Sequence, residues 1–574
     1  MIVDDYPRPQ VRRSSFINLD GKWDFFMDFH GTGAKNNFQN GFRKESDIFL
    51  PFCYEAPASG LGIEKRCDDV WYQKEIAYQK KEDKRLLLHL EGADYETSVF
   101  LNGSFVGKDT GAYHRETFDL TPFLKERENL LVIHCHDDYS KAKPRGKQRW
   151  EDKNFGCWYV DTTGIYKTVW LEEVGLSYIE DIKILTDANG GFLSLALKTK
   201  ENEGVKKIVE VSYDGASIAH KESYSDDLRL SIPKPLHLWN VLSPEIYDLK
   251  ISLVKDEKVI DEVISYFAFR SLEARNGKVY LNNQPLYQRL ILDQGYFKEG
   301  KLTPKSGEEL LKDIELMVDI GFNGARKHQK IEDERFYYYA DMLGYICWAE
   351  MPSMYELTEE SKKTFEREYL LAINQLMNHP AIIAWVPFNE SWGIDDIATN
   401  RTTQAFVNRI CELTKKADPT RFCISNDGWE HTKSDLITIH DYEQNGVLLK
   451  KKYPTAEEAS IVHYEWRGKH AFADGYSYQG EPMLLTEFGG TAFKANYGGA
   501  NESWGYGEGV KDTDDFLRRL SSLVESTIEI PFFEGFCYTQ LSDVEQEVNG
   551  LVKEDRTYKL PRDALRKIFG MPRN

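Results

Sequence analysis

Ala381-Ile382-Ile383-Ala384-Trp385-Val386-Pro387-Phe388-Asn389-Glu390-Ser391-Trp392-Gly393 is an apolar run that ends abruptly in an acid. The apolar residues do not alternate with polar ones, which suits a strand covered on both faces, as in a parallel sheet flanked by helices. Asn389 and Glu390 then fall at the strand end, the rim at which a closed barrel places its chemistry. Alone, the Asn-Glu pair reads equally well as a turn cap and a solvated acid. A second stretch of the same form tips the balance. Pro482-Met483-Leu484-Leu485-Thr486-Glu487-Phe488-Gly489-Gly490 is again apolar, then acidic, then a glycine turn. Two buried strands that each end in Glu are what a double-carboxylate glycosidase requires, one acid to protonate the leaving oxygen and one to attack or to activate water.

The chain around these stretches alternates strand and helix from about residue 273 onward, which signals βα units and a parallel sheet. Candidate strands are Tyr287–Leu292, Asn323–Arg326, Tyr345–Glu350, Ile382–Asn389, Arg421–Ser425, Leu436–His440, Met483–Glu487 and Gly535–Thr539. Eight is the number a (β/α)8 TIM barrel needs, here over residues 273–574. Between the first two lies Ser306-Gly307-Glu308-Glu309, read as a capping box, with Gly321 as the helix stop.

Upstream the sequence is all strand and turn. Short β-prone runs recur over residues 1–175, and Asn102-Gly103 between Val99-Phe100-Leu101 and Phe105-Val106 predicts a hairpin with a type I′ turn. Residues 176–272 alternate cleanly in Phe192–Leu197 and Asp248–Val254, and their length fits an immunoglobulin-like sandwich acting as a spacer. The expected fold class is thus multidomain, all-β followed by α/β.

At 574 residues the chain exceeds one core. A formal net charge of −20 disfavours nucleic acid and anionic membrane as partners. The first twenty residues hold no apolar signal region, and no run is long enough to span a bilayer, so the cytoplasm is the expected compartment. Eight cysteines without a C-x-x-C pair argue against a zinc site or a disulfide scaffold. Cys347 and Cys537 lie inside apolar runs, as core residues do.

Polar residues collect at the other predicted strand ends: Asp293, Arg326, His328, Glu350, Asn426, Asp427, His440, Tyr442, Tyr538 and Gln540. A lone His such as His328 is more often structural than catalytic. Together they form a mixture that binds sugar hydroxyls. Trp392, Trp429 and Trp466 follow predicted strands, where they serve as sugar platforms or as core.

With those residues in place, the chain resembles glycoside hydrolase family 2 over nearly its whole length. The resemblance rests on Asn389-Glu390-Ser391-Trp392, Thr486-Glu487-Phe488-Gly489, Asn18-Leu19-Asp20-Gly21-Lys22-Trp23 and Thr163-Gly164-Ile165-Tyr166. It implies an N-terminal jelly-roll sandwich, an immunoglobulin-like sandwich and a catalytic barrel. It further implies Glu390 as general acid/base, Glu487 as nucleophile, Asn389 as a partner of the sugar 2-hydroxyl, Arg326 as support of the nucleophile and Tyr442 near it. No cofactor and no metal at the site are expected, and a structural metal ion elsewhere is left open. Two departures bear on substrate. Trp158 stands where family galactosidases and glucuronidases carry an Asp, and the acidic Glu545-Gln546-Glu547 stands where glucuronidases hold a uronate with Asn-x-Lys. The expectation is a retaining exo-β-glycosidase for a neutral, β-galactoside-like sugar. A β-glucoside, β-mannoside, arabinoside or, behind these, β-glucuronide remains the alternative, as does a non-catalytic glycan-binding protein. Homo-oligomerisation is left open.

Overall fold

The computed structural model describes residues 6–461, 463, 464, 468–493 and 503–573. Trp466 lies outside them.

The N-terminal part packs a four-stranded sheet (Ile17–Asn18, Val169–Gly175, Lys84–Leu90, Glu116–Asp119) on a six-stranded one, with antiparallel pairing throughout. Inward residues such as Trp23, Tyr72, Leu88 and Ile133 fill the space between the sheets. The predicted hairpin forms: Leu101 pairs with Ser104, while Asn102 (φ 55°) and Gly103 (φ 83°) supply the two positive angles of a type I′ turn. A second sandwich of three and four strands follows from Tyr178 to Phe267 around its own core of Ile, Leu and Val. Seven antiparallel strands in two sheets match the immunoglobulin-like expectation.

The remainder is the barrel. Its strands are β1 (Gln288–Asp293), β2 (Gly324–Lys327), β3 (Ile346–Glu350), β4 (Ile382–Val386), β5 (Phe422–Cys423), β6 (Ile437–His440), β7 (Met483–Gly489) and β8 (Phe533–Thr539). The seven hydrogen-bonded neighbouring pairs are all parallel, running β5-β4-β3-β2-β1-β8-β7-β6. The seam between β5 and β6 is bridged where Asp435 N donates to Cys423 O at 3.0 Å and Gly428 N to Thr438 Oγ1 at 2.9 Å.

Helices α1 (Gly307–Ile320), α2 (Glu334–Leu343), α3 (Glu359–Leu376) and α4 (Arg401–Ala417) lie between the early strands; α5 (Gly446–Lys452), α6 (Ala456–Ser460), α7 (Thr513–Glu529) and α8 (Arg562–Phe569) complete the set. Each of the first four long helices turns an apolar face to the sheet; in α1 this face is Leu310, Leu311, Ile314, Met317 and Ile320.

Three local expectations change. The fourth strand stops at Val386, three residues short of Asn389, because Pro387 has no N–H to give the ladder. The fifth strand shrinks to two residues, although Ile424 N still bonds Trp385 O at 3.0 Å. The capping box at Ser306 does not form. Glu309 instead accepts from Lys305 N at 2.7 Å, and the Ser306 side chain makes no cap bond. Gly321 does close α1, at φ 116°. All eight cysteines are free, with Cys347 and Cys537 fully buried.

Candidate active site

Glu390 sits just past β4 in a left-handed turn, with φ 51° there and 62° at Ser391. Left-handed backbone is uncommon for residues other than glycine and persists where its surroundings hold it. They do so here. Glu390 N donates to Asp427 O at 2.9 Å, Asp427 N to Phe388 O at 2.8 Å, and Ser391 N to Asn426 Oδ1 at 3.0 Å. Glu487 comes from β7 itself, so both carboxyl groups reach one mouth. One oxygen of Glu390, one of Glu487 and one nitrogen of His440 lie within 4.8 Å of one another.

The neighbours divide the labour between the two acids. Arg326, from β2, donates to Glu487 Oε1 at 2.9 Å, to Glu350 Oε2 at 2.6 Å and to Asn389 Oδ1 at 2.6 Å, and pairs with Asp427 at 2.8 Å. Tyr442 OH donates to the other Glu487 oxygen at 2.5 Å, and its ring stacks on Tyr506. Burial alone would raise the Glu487 carboxyl, but His440, Arg326 and the Tyr442 hydroxyl hold it well below the usual carboxylate range. Glu487 is thus an oriented anion. His440 stands between Glu390 Oε1 (2.9 Å) and Asp427 Oδ2 (3.1 Å). Burial would lower its pKa, yet the charges of Glu487 and Asp427 push it up to about 10. As an imidazolium it spends both N–H groups on carboxylates and has no lone pair to offer a cation.

Arg326 therefore balances a fully buried cluster, and breaking it should be costly. Arg326→Met should lower stability by about 3–5 kcal/mol near pH 7, read by urea denaturation, because carboxylates are left buried without their cation. Glu350, Asp427 and Glu487 all have depressed pKa values in the folded protein. Their stabilisation is present above the unfolded pKa of about 4 and lost as pH falls through the folded values. The gap between wild type and variant should narrow with acid; an unchanged gap from pH 7 to pH 3 would contradict this arrangement.

Above the carboxylates opens a cavity of about 260 Å3, lined by Lys147, Gly156, Cys157, Trp158, His328, Asn389, Glu390, Trp392, Glu487, Trp504 and Tyr506. A slightly larger cavity of about 310 Å3 lies elsewhere, under Arg8 and Arg115, where the charged groups are already paired. Of the sequence candidates, Trp158, His328, Asn389, Glu390, Trp392 and Glu487 face the catalytic cavity. Arg326, His440 and Tyr442 stand behind the carboxylates and position them. Asp293 is held by Lys327 Nζ at 2.6 Å and Gly295 N at 2.8 Å and does not reach the cavity. Trp429 is buried with its ring 5.6 Å from that of His440. Tyr538 packs outward on Phe488 and Phe569.

Sequence reasoning missed Lys147, Cys157, Trp504 and Tyr506. The first two arrive on the segment 137–163 of the N-terminal sandwich, which docks on the barrel mouth. Arg145 N bonds Ser353 O at 2.9 Å, Tyr355 OH bonds Gly146 O at 2.5 Å, and Trp504 Nε1 bonds Gly156 O at 2.7 Å. The aromatic-glycine run Trp504-Gly505-Tyr506-Gly507 carried a visible signal for a ring-lined loop. Glu545 and Glu547 do not line the cavity. Glu545 pairs with Lys301 at 2.9 Å and accepts from Val160 N; Glu547 takes bonds from Tyr159 OH and Asn549 Nδ2. Their expected repulsion of a uronate loses its basis.

Family models describe the same three parts: a glycosyl hydrolase 2 galactose-binding domain-like segment over residues 63–168, glycosyl hydrolases family 2 over 177–270, and the family 2 TIM barrel domain over 272–570. The chain belongs to glycoside hydrolase family 2. Among curated relatives, a β-galactosidase of Thermoanaerobacterium thermosulfurigenes is 26% identical over 491 residues, 78% of this chain and 63% of that protein. A β-glucuronidase of Bacteroides fragilis is 24% identical over 389 residues, 59% of this chain and 51% of that protein. The chain thus spans between about half and two thirds of the length of these relatives. A crystal structure of Ruminococcus gnavus β-glucuronidase shares the fold with a TM-score of 0.78, 17% identity and coverage of 98% of this chain and 99% of that one.

Proposed function

We propose that this family 2 chain is a retaining exo-β-glycosidase that works by double displacement. The observation that carries the reading is the spacing of Glu390 and Glu487, whose nearest oxygens fall within 4.8 Å. Carboxyl groups about 5–5.5 Å apart leave no room for a water between acid and sugar, whereas inverting enzymes hold them about 6.5–9.5 Å apart. In the first step Glu487 attacks the anomeric carbon while Glu390 protonates the departing oxygen, so one C–O bond forms as the other breaks. In the second, Glu390 takes a proton from water, which displaces Glu487. Two inversions give net retention. Arg326 and Tyr442 aim the nucleophile, and the Asn389 amide, whose Nδ2 has no partner among the described residues, is free to donate to a sugar hydroxyl.

Sequence alone favoured a neutral, β-galactoside-like sugar over a uronide because of Glu545 and Glu547. With both carboxylates engaged away from the cavity, that preference has lost its support, and relatives of both names leave galacto- and glucurono-configured sugars as the candidates. The non-catalytic alternative is disfavoured by the supported nucleophile. NMR of the first product released from an aryl β-glycoside tests the reading: the β-anomer should appear first and mutarotate later. Initial release of the α-anomer, or binding of glycosides without turnover across a nitrophenyl panel, would remove it.

A further inference from the structure

Lys147 reaches the catalytic cavity from the N-terminal sandwich, and it differs from every other buried lysine among the described residues. Lys143, Lys167, Lys207, Lys327, Lys330 and Lys559 each bond a carboxylate or a backbone carbonyl. Lys147 is only 6% exposed, yet its ammonium bonds no oxygen of the described residues. It lies 4.6 Å from the centre of the Trp392 ring and beside the Cys157 thiol.

These contacts fix its position without neutralising it. The Trp392 face offers a cation–π attraction of modest size. Burial keeps the Cys157 thiol protonated against the pull of Lys147, so it brings no counter-charge. Burial would also strip the proton from Lys147, but the negative charges of Glu547 and Glu487 keep it on. The two carboxylates act only from a distance. Glu487 gives its oxygens to Arg326 and Tyr442, and Glu547 to Tyr159 and Asn549. With no carboxylate in contact, the ammonium leaves this wall of the cavity positively charged, and an anion placed in the cavity would gain both its charge and a hydrogen bond.

We propose that Lys147 sets substrate choice, its ammonium receiving an anionic substituent, a carboxylate or a sulfate, of the sugar held at Glu390 and Glu487. The assignment rests on the glycosidase reading above and names the substrate class within it. A neutral hydroxyl would accept one hydrogen bond from Lys147 and leave its charge uncompensated, whereas an anion supplies both bond and charge. The net charge of −20 opposes long-range attraction of such a substrate, so selectivity should reside in the contact itself and persist at moderate salt.

The test compares wild type, Lys147→Met and Lys147→Arg on aryl β-glycosides matched except at C5: glucuronide against glucoside and galacturonide against galactoside, with 6-sulfated glycosides as a third arm. Wild type should favour an anionic member in kcat/KM. Lys147→Met should lose about a hundredfold or more on that member and only about tenfold on the neutral one, which forfeits a single hydrogen bond, and Lys147→Arg should retain most of the preference. A preference for the uronide assigns the carboxylate, and one for the 6-sulfate assigns the sulfate. Equal losses on charged and neutral sugars, or a wild type that prefers the neutral member of every pair, would overturn the proposal. Calorimetric binding of free uronates and 6-sulfated sugars, against glucose and galactose, separates the two readings. Lys147-dependent anion binding with no turnover would remove the hydrolase and keep the anchor, while anion binding indifferent to Lys147→Met would remove the anchor.

Discussion

Glu487→Ala should abolish hydrolysis of β-glycosides, by about 10⁴-fold or more, and azide or formate should restore part of it. The size of the loss follows from the way the site is built around this one side chain. Arg326 and Tyr442 each spend a hydrogen bond on it, and His440 adds a positive charge 3.6 Å from its second oxygen. Removing the carboxylate leaves these donors aimed at a void of the right size for a small anion. Azide entering there attacks from the face Glu487 occupied, so the product is an α-glycosyl azide, identified by NMR. Rescue yielding the β-azide, or activity within tenfold of wild type, would mean that Glu487 is not the nucleophile.

The sequence showed why Glu390 and Glu487 belong together more clearly than why their surroundings do. Both follow unbroken apolar runs, and strand ends in a parallel barrel share one rim, so height along the barrel axis could be read from the chain. Direction around the strand could be read too, where the alternation was followed. In β8, Thr539 Oγ1 comes within 3.2 Å of Tyr442 OH at the site, so its neighbour Tyr538 must face outward, and it packs on Phe569 of α8. Asp293 shows what alternation does not reveal. It ends β1 at the right height, but Lys327 on the adjacent strand takes its charge.

Charge sign without partners misleads in the same way. Glu545 and Glu547 read as a repulsive pair in sequence, whereas in the fold Lys301, Val160 N, Tyr159 and Asn549 absorb them. Lys147 was illegible for a different reason. Its place in the cavity depends on docking of the segment 137–163 onto the loop at Ser353 and Tyr355, contacts that span some two hundred positions of chain and leave no periodic trace. The same docking makes the N-terminal sandwich part of the active site instead of a neutral appendage.

Glu390→Ala should instead produce a loss whose size depends on the leaving group. His440 donates to Glu390 Oε1, which leaves Oε2 to carry the proton that is handed to the departing oxygen. An alkyl or sugar leaving group needs that proton, and its substrates should slow by about 10²–10⁴-fold. A dinitrophenolate departs unaided, so the first step on its glycoside should change little. The second step still lacks its base, so the glycosyl-Glu487 intermediate should accumulate and appear as a burst of dinitrophenol followed by a slow steady state. Azide needs no base to attack, and entering from the Glu390 side it should accelerate the steady state and yield a β-glycosyl azide, the opposite anomer to that from Glu487→Ala. The two variants thus read the two faces of one sugar independently. A Glu390→Ala loss that is the same for every leaving group, or an α-azide from this variant, would show that Glu390 does not act as the acid/base.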